Sequence, residues 1–184
     1  MQTDSSASWD QSLTALAAPP PLLQSWGWGE IQARSGWKVD RITLPGGGRC
    51  TVLRQRVGPW TWAYVPRGPV PATEAALVDL LDWAKHQRLT RLRIEPERGP
   101  DFRQVLERLG LRPASSVQPQ HTLILNLRPE EQMLARFRAN HRHSLRTADR
   151  REVEVVEGAE IAVIDDLARS TATRQQIHLP GGGY

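Results

Sequence analysis

The stretch from Trp60 to Pro96, WTWAYVPRGPVPATEAALVDLLDWAKHQRLTRLRIEP, decides the fold of this 184-residue chain. Its first residues place Trp60, Trp62 and Tyr64 on one face of an extended segment, the period of a strand. A helix is predicted next, behind a Thr73 N-cap, because apolar residues recur at i, i+3, i+4 and i+7: Leu77, Leu80, Leu81 and Ala84. The run from Arg91 to Glu95 is a second strand, stopped by Pro96. This alternation predicts an α/β or α+β fold, with helices packed on a sheet.

The segments upstream of Trp60 extend the predicted sheet. Residues Trp37 to Leu44 and Cys50 to Val57 are rich in aromatic and β-branched residues, and the turn-forming Pro45-Gly46-Gly47-Gly48 separates them. They predict two strands of a hairpin. Before them, the proline-rich tract from Ala18 to Leu22 predicts a bend.

Downstream of Pro96 the sequence predicts further helices and strands. A helix with its first position at Pro100 ends before Gly110. His121 to Leu127 is predicted as a strand, and Pro129 opens a helix. Further on, Val153 to Val156 is predicted as a strand and Ile161 to about Gln175 as a helix.

The composition is that of a folded protein. Hydrophobic residues make up 39% of the chain, charged residues 24%, and the net charge is only +4, a balance unlike that of disordered chains. The single Cys50 excludes an internal disulfide framework and a Cys-rich zinc site. The polar start of the chain and the prolines that follow predict no signal peptide and no membrane span, which favours the cytoplasm.

The helix after Pro129 carries a row of arginines at every fourth residue. On a continuous helix over about 129–151, Arg138, Arg142, Arg146 and Arg150 form one cationic stripe. Like charges four residues apart cost about 0.2–0.5 kcal/mol per pair. A stripe that costs stability indicates an anionic partner, because the guanidinium fork suits phosphate oxygens. The alternative is a solvated helix face.

Other motifs point to no further chemistry. The two Gly-Gly-Gly runs, at Gly46 and Gly181, lack the residues that complete a phosphate loop and are interpreted as turns. His141 and His143 stand two apart on the predicted helix, so they are not a metal pair. Cys50 has no neighbours that would make it a nucleophile. No catalytic residue is identified.

Several segments together resemble the Fem-type (FemABX) peptidyltransferase family. Leu22 to Glu30 (LLQSWGWGE) looks like the family's early "LQS-x-x-WG" segment, and Ala63 to Pro69 is similar to its "Y-x-P-R-G-P" turn. Leu92 to Pro96 resembles its strand that ends in an acid and a proline. Val117 to Thr122 resembles its "x-Q-P-x-x-T" segment, and Arg138 to Ala148 its "K-x-R-x-x-I-R-x-A" helix.

The resemblance implies two GNAT-like acyltransferase domains, each a mixed sheet with flanking helices. On that plan residues 1–152 form the first domain, including the helix near 129–151, and residues 153–184 begin a second, incomplete one. The chain would then be only the N-terminal part of the active enzyme.

The implied activity is that of an aminoacyltransferase, which adds an amino acid from aminoacyl-tRNA to the stem peptide of a peptidoglycan precursor. The partners are aminoacyl-tRNA and a nucleotide- or lipid-linked muropeptide; aminoacyl-tRNA is a co-substrate, and neither a cofactor nor a metal is implied. The expected localisation is cytoplasmic, with peripheral contact at the inner face of the membrane allowed.

The resemblance also assigns candidate roles to residues. It implies precursor contacts at Trp28, Gln32, Tyr64, Arg67 and Glu95, and phosphate or tRNA contacts at the four arginines of the stripe. Two of these positions depart from the family, which often has Lys at Gln32 and Asp at Glu95. The catalytic base is unknown.

Two other functions stay open at this point. The first is a non-catalytic or decayed remnant that binds tRNA or another polyanion. The second is an acetyl-CoA-dependent N-acyltransferase, which needs a pyrophosphate loop that leads into a helix. Gln55 to Trp60 only approaches that loop, because it enters a strand.

Overall fold

The computed structural model describes residues 5–97, 102–154, 158 and 160–177. They divide into two compact units, the first up to Gln120 and the second from His121 on. The first unit contains the sheet. The predicted domain boundary after residue 152 stays a prediction.

The first unit begins with helices, the first of which buries the side chains of Trp9 and Leu13. Its helical elements are α1 (Ser6–Leu16), a short 3₁₀ helix (Leu22–Gln24) and α2 (Trp26–Arg34). Ser5 caps α1 and forms a reciprocal capping box with Ser8. Trp9 is fully buried on α1, and its indole Nε1 donates a 2.9 Å hydrogen bond to the Gln24 carbonyl. The helices are thereby tied to the segment that leads into α2.

Four strands form one mixed sheet in the order β1-β2-β3-β4. They are β1 (Lys38–Thr43), β2 (Arg49–Val57), β3 (Trp60–Pro66) and β4 (Arg91–Glu95). The first three are antiparallel neighbours, while β4 pairs parallel to β3 after the crossover helix α3 (Glu74–His86). All four strands were predicted, and so was the Thr73 cap of α3, whose Oγ1 accepts from the Ala76 amide.

One face of the sheet holds the core. Helix α3 buries its apolar stripe against side chains from all four strands, and this core consists of Leu44, Cys50, Val52, Ala63, Val65, Ala76 and Leu80 with Ile42, Trp83, Leu89, Leu92 and Ile94 around them. Helix α4 (Phe102–Arg108) follows β4. Its predicted start at Pro100 lies outside the described residues.

The second unit contains three helices. They are α5 (Glu130–Arg136), α6 (Ala139–Arg150) and α7 (Ile161–Gln175), and α7 has the predicted bounds. Most large apolar side chains of this unit are exposed, among them Leu127 at 90% and Ile161 at 79%. No helix in the described parts of the chain is long and apolar enough to cross a membrane.

Three predictions about this unit are wrong in the described residues. His121 to Leu127 is not a strand: it pairs with no strand in the described part of the chain, and Leu123, Ile124 and Leu125 are exposed. Strand propensity alone does not make a strand without a neighbour to pair with. Of the strand predicted at Val153 to Val156, residues 153 and 154 are not in a strand and residues 155 and 156 lie outside the described residues.

The third wrong prediction is the continuous helix over about 129–151. Phe137 and Arg138 are extended, with ψ of 144° and 155°, and they separate α5 from α6. The break is stabilised by the guanidinium of Arg142, which donates to the Phe137 carbonyl at the end of α5. Arg138 therefore occupies the N-cap of α6 and is not part of a helical stripe.

Candidate functional site

Tyr64 and Glu95, two of the residues that the sequence resemblance assigns to the precursor, lie close together at the carboxyl ends of β3 and β4. The register places Tyr64 opposite Arg93 and Pro66 opposite Glu95, so the two strands end side by side. The Tyr64 phenol donates a 2.9 Å hydrogen bond to Oε2 of Glu95. Sheet edges of this kind often carry ligand-binding side chains.

Glu95 accepts three hydrogen bonds at this corner. Its Oε1 accepts from the Val117 amide at 2.7 Å, and its Oε2 accepts from the Gln118 amide at 3.1 Å as well as from Tyr64. A carboxylate with three donors has most of its acceptor capacity filled. Glu95 thus holds the segment around Val117 against the sheet, a role that the sequence did not indicate.

Tyr64 is protonated at neutral pH and acts as a hydrogen-bond donor. It is only 6% exposed, and this burial raises the pKa of Tyr64 to about 12. A side-chain hydrogen bond with Gln118 lowers the pKa, whereas the hydrogen bond to Glu95 raises it. The phenol is therefore neutral over the physiological range and keeps its hydrogen bond.

Arg67 closes the same corner from the turn after β3. Its backbone has a φ of 52°, in the left-handed region, and its guanidinium donates to the Pro119 carbonyl. Beside it, a Cβ on Gly68 would lie 2.7 Å from Cδ and Nε2 of Gln24. Only a glycine allows this close approach without displacing the glutamine.

Gln24 is a buried polar residue whose position the sequence did not reveal. Its side chain is fully buried, its Nε2 donates to the carbonyls of Pro66 and Thr51, and its Oε1 accepts from the Thr51 amide at 2.7 Å. The Leu22 to Glu30 resemblance contains this residue but gave no sign of its contacts. It fixes the start of α2 relative to β2 and the end of β3.

Helix α2 carries the other two predicted precursor contacts, Trp28 and Gln32, which are four residues apart. It packs on the sheet face opposite α3, because a Cβ on Gly29 would lie 3.2 Å from the Val39 side chain. Val39 pairs with Leu53, and Leu53 with Tyr64, so all three share that face. Helix α2 therefore lies over the face to which Tyr64 belongs.

Trp28 and Gln32 differ in exposure and in the hydrogen-bonding groups that they leave for a ligand. Trp28 is half-buried, and its indole Nε1 is shielded from water with no hydrogen-bond partner among the described residues. Gln32 is 8% exposed. An unpaired buried N–H costs free energy, so the Trp28 indole is a donor that a bound acceptor would stabilise.

The arginines predicted to contact phosphate lie in the second unit. Arg142, Arg146 and Arg150 follow one another on α6, and Arg138 stands at its N-cap. None of the four forms an ion pair with a described residue. No group of three His, Cys, Asp or Glu in the described ranges is placed to hold a metal.

Comparison with known proteins finds a likeness among solved structures. No family model matches the sequence, and no curated protein matches it. Among solved structures, the crystal structure of FemX superposes with a TM-score of 0.70 at 22% identity. The match covers 96% of this chain and 50% of the FemX chain, so this chain spans half the length of FemX.

The likeness confirms the predicted fold class. The four-stranded mixed sheet with flanking helices is an α+β arrangement, and it is shared with FemX over nearly the whole chain. It agrees with the GNAT-like architecture that the sequence resemblance implies.

Proposed function

We propose that this chain is the N-terminal part of an aminoacyl-tRNA-dependent transferase, which adds an amino acid to the stem peptide of a peptidoglycan precursor. The observation that carries the proposal is the match to FemX over 96% of the chain. The five sequence segments that resemble Fem-type peptidyltransferases support it independently. The protein would work in the cytoplasm or at the inner face of the membrane.

The precursor would bind over the sheet face that α2 and Tyr64 share. In this proposal the Trp28 indole N–H donates to a precursor oxygen, and Arg67 contributes its remaining N–H groups. Tyr64 and Glu95 act mainly by holding the segment around Val117, since they already satisfy one another. Gln32 would contact the precursor only at its exposed margin.

Aminoacyl-tRNA would bind along α6. Arg142, Arg146 and Arg150 drift by about 40° per step around the helix, so they form one cationic row, and Arg138 adds a charge at its start. Phosphates bound there would release counterions, and binding would weaken steeply with salt.

The reaction needs little from the protein beyond positioning. A stem-peptide amine attacks the ester carbonyl of the aminoacyl-tRNA, the bond to the ribose oxygen breaks, and that oxygen leaves as a hydroxyl with the proton that the amine gives up. The protein must hold the two reactants in line and stabilise the tetrahedral oxyanion. We assign no base, and aminoacyl-tRNA is the co-substrate with no further cofactor.

A second candidate is a non-catalytic chain that binds tRNA or another polyanion. It is favoured by the cationic row on α6, of which Arg146 and Arg150 are exposed. The acetyl-CoA-dependent alternative has less support, because Gly58 and Pro59 form the turn between β2 and β3 and do not open a helix.

A transfer assay separates these functions. The chain is incubated with tRNA charged with a labelled amino acid and with a muropeptide precursor, alone and as the longest in-frame product of the same gene. Transfer by either form supports the proposal, and retention of tRNA without transfer by both supports the binding module. Loss of transfer with retained tRNA affinity in Trp28→Phe would assign the indole N–H to the precursor.

The α6 arginines have a matched control within the same unit. R142A/R146A/R150A should weaken tRNA binding at least tenfold. R128A/R136A/R174A removes the same charge from exposed arginines that also lack an ion pair with a described residue. Equal losses in the two triple variants would contradict a site on α6.

A further inference from the structure

The sheet face opposite α3 carries two tryptophans and two arginines side by side. Trp60 and Trp62 lie on β3, Arg91 and Arg93 lie on β4, and Trp62 pairs with Arg91 in the ladder. These four residues, here called the Trp–Arg face, line an open cavity of about 580 Å³ together with Thr90. Trp60, Trp62 and Arg91 lie toward the opposite end of β3 and β4 from the Tyr64–Glu95 corner, whereas Arg93 pairs with Tyr64 beside that corner.

The two tryptophans of this face differ, because Trp62 is half-buried and packed whereas Trp60 is exposed. The Trp62 ring meets Trp37 edge to face, with ring centroids 5.0 Å apart and planes at 71°. Trp60 is 60% exposed and has no ring partner among the described residues. A large flat apolar side chain as exposed as Trp60 contributes little to packing and suits a planar ligand.

The cationic half is free to bind an anion. Arg91 is exposed, and within the described part of the chain it makes no hydrogen bond or ion pair. Arg93 donates to the Ser115 carbonyl at 2.7 Å through one nitrogen. No acidic side chain lines the cavity, so its charge is uncompensated locally.

A second cavity of about 620 Å³ continues from the first along β4. The two share Thr90, Arg91 and Arg93, and the second adds the exposed Arg112. Its acidic lining residues are already engaged, Glu107 with Arg103 and Glu95 with its three donors. A cationic track therefore leads away from the tryptophans beside the outer edge of β4.

We propose that the Trp–Arg face binds single-stranded RNA. Side chains two apart on a strand are about 6–7 Å apart, so Trp60 and Trp62 offer stacking surfaces to successive bases. Aromatic rings on a sheet and a cationic groove for the backbone are how proteins hold unpaired bases. A single nucleotide would use only one ring and one end of the track. This site is separate from the α6 arginines and stands whether or not the chain transfers amino acids.

The test is fluorescence anisotropy with 5′-labelled octamers of adenylate and of uridylate, read at several salt concentrations. Trp60→Ala should weaken binding at least fivefold, the lower end of what one stacked base contributes, and Trp60→Phe should recover most of it. Arg91→Ala should reduce the slope of log affinity against log salt by about 0.7.

Arg56→Ala is the matched control. Arg56 is an exposed arginine on the neighbouring strand β2, but it points to the other face, because it pairs with Thr61. Arg56→Ala should change the affinity for the octamers by less than twofold, because it removes one positive charge that lies outside the proposed site. Since the Arg91 side chain is exposed and has no partner to lose among the described residues, its variant keeps the test valid if Trp60→Ala folds poorly.

Three results would overturn the proposal. They are unchanged affinity in Trp60→Ala, equal losses in Arg91→Ala and Arg56→Ala, and displacement of the octamers by UDP at concentrations that match their own affinity. The last would make the face a mononucleotide site. If R142A/R146A/R150A abolishes octamer binding while Trp60→Ala does not change it, the RNA lies on α6 instead.

Discussion

Tyr64 donates a 2.9 Å hydrogen bond to Glu95, and this bond joins the ends of two parallel strands to the segment that follows α4. Both residues were predicted to contact a precursor. The structure shows that they contact each other, and that the second carboxylate oxygen of Glu95 accepts a hydrogen bond from the Val117 amide. The corner is therefore preorganised before any ligand binds.

The first prediction concerns the stability of this corner. Glu95→Ala should lower the free energy of unfolding by about 2–3 kcal/mol, because Tyr64 and two backbone amides lose a charged acceptor. Tyr64→Phe should cost about 1 kcal/mol, and the double variant should cost less than the sum. Urea unfolding measures all three. Glu97→Ala, an exposed acid two residues on, should stay within about 0.5 kcal/mol of the parent.

The second prediction is the alkaline behaviour of Tyr64. Its pKa is raised to about 12, whereas an unfolded tyrosine titrates near about 10. The unfolded state therefore loses this proton first as pH rises, so the free energy that the protonated Tyr64 contributes to folding is fully present below pH 10 and declines between pH 10 and pH 12. Unfolding free energies of the parent should fall more steeply over that window than those of Tyr64→Phe. Parallel curves would contradict the raised pKa.

The third prediction uses Cys50 as a reporter of the core. Cys50 is the only cysteine, it is fully buried on β2, and its burial raises its thiol pKa far above the ordinary value. Because the thiolate is the reactive form, an aromatic disulfide reagent should label the native chain at least a hundredfold more slowly than the denatured chain. Rapid, complete labelling of the native chain would mean that β2 is not in the core.

The sheet was readable from sequence because its signals are local. The period of two in Trp60, Trp62 and Tyr64, the glycine turn after Pro45 and the helical period behind Thr73 each depend on residues close in sequence. The order of elements then favours a parallel pairing of β4 with β3, since a helix crossover joins them. The sequence resemblance added the corner formed by Tyr64, Arg67 and Glu95.

The parts that sequence missed depend on distant partners. Nothing near Gln24 shows that its amide meets Thr51 and Pro66, and nothing near Glu95 shows that two amides over twenty residues later bind it. The same reason explains the wrong strand at His121 to Leu127, where the propensity is present and a pairing strand is not. The alternation of Trp60 and Trp62 was visible, but the arginines beside them became a site only through the register.

The fourth prediction tests how much the repulsion between the α6 arginines lowers the stability of the protein. Arg146 has like charges four residues away on both sides, Arg142 and Arg150, and no acidic partner among the described residues. Arg146→Ala should therefore raise stability by about 0.4–1 kcal/mol at low salt, with the gain fading at high salt. Thermal unfolding at two salt concentrations measures this. Arg174→Ala on α7 should show a smaller change, and a loss in Arg146→Ala would mean that the guanidinium makes a stabilising contact.

The last prediction concerns the close approach of Gly68 to Gln24. Gly68→Ala would place a Cβ 2.7 Å from a side chain that is fully buried, so the glutamine must give up bonds to Thr51 or Pro66. We expect a loss of about 2–3 kcal/mol for Gly68→Ala and a similar loss for Gln24→Ala, which leaves the Thr51 amide without its acceptor.

In the Gln24→Ala background, however, the three atoms nearest to the added methyl are removed, and Gly68→Ala should then cost less than about 1 kcal/mol. Urea unfolding of the four proteins in the cycle gives the coupling energy directly. Additive losses would show that the cost of Gly68→Ala does not come from contact with Gln24.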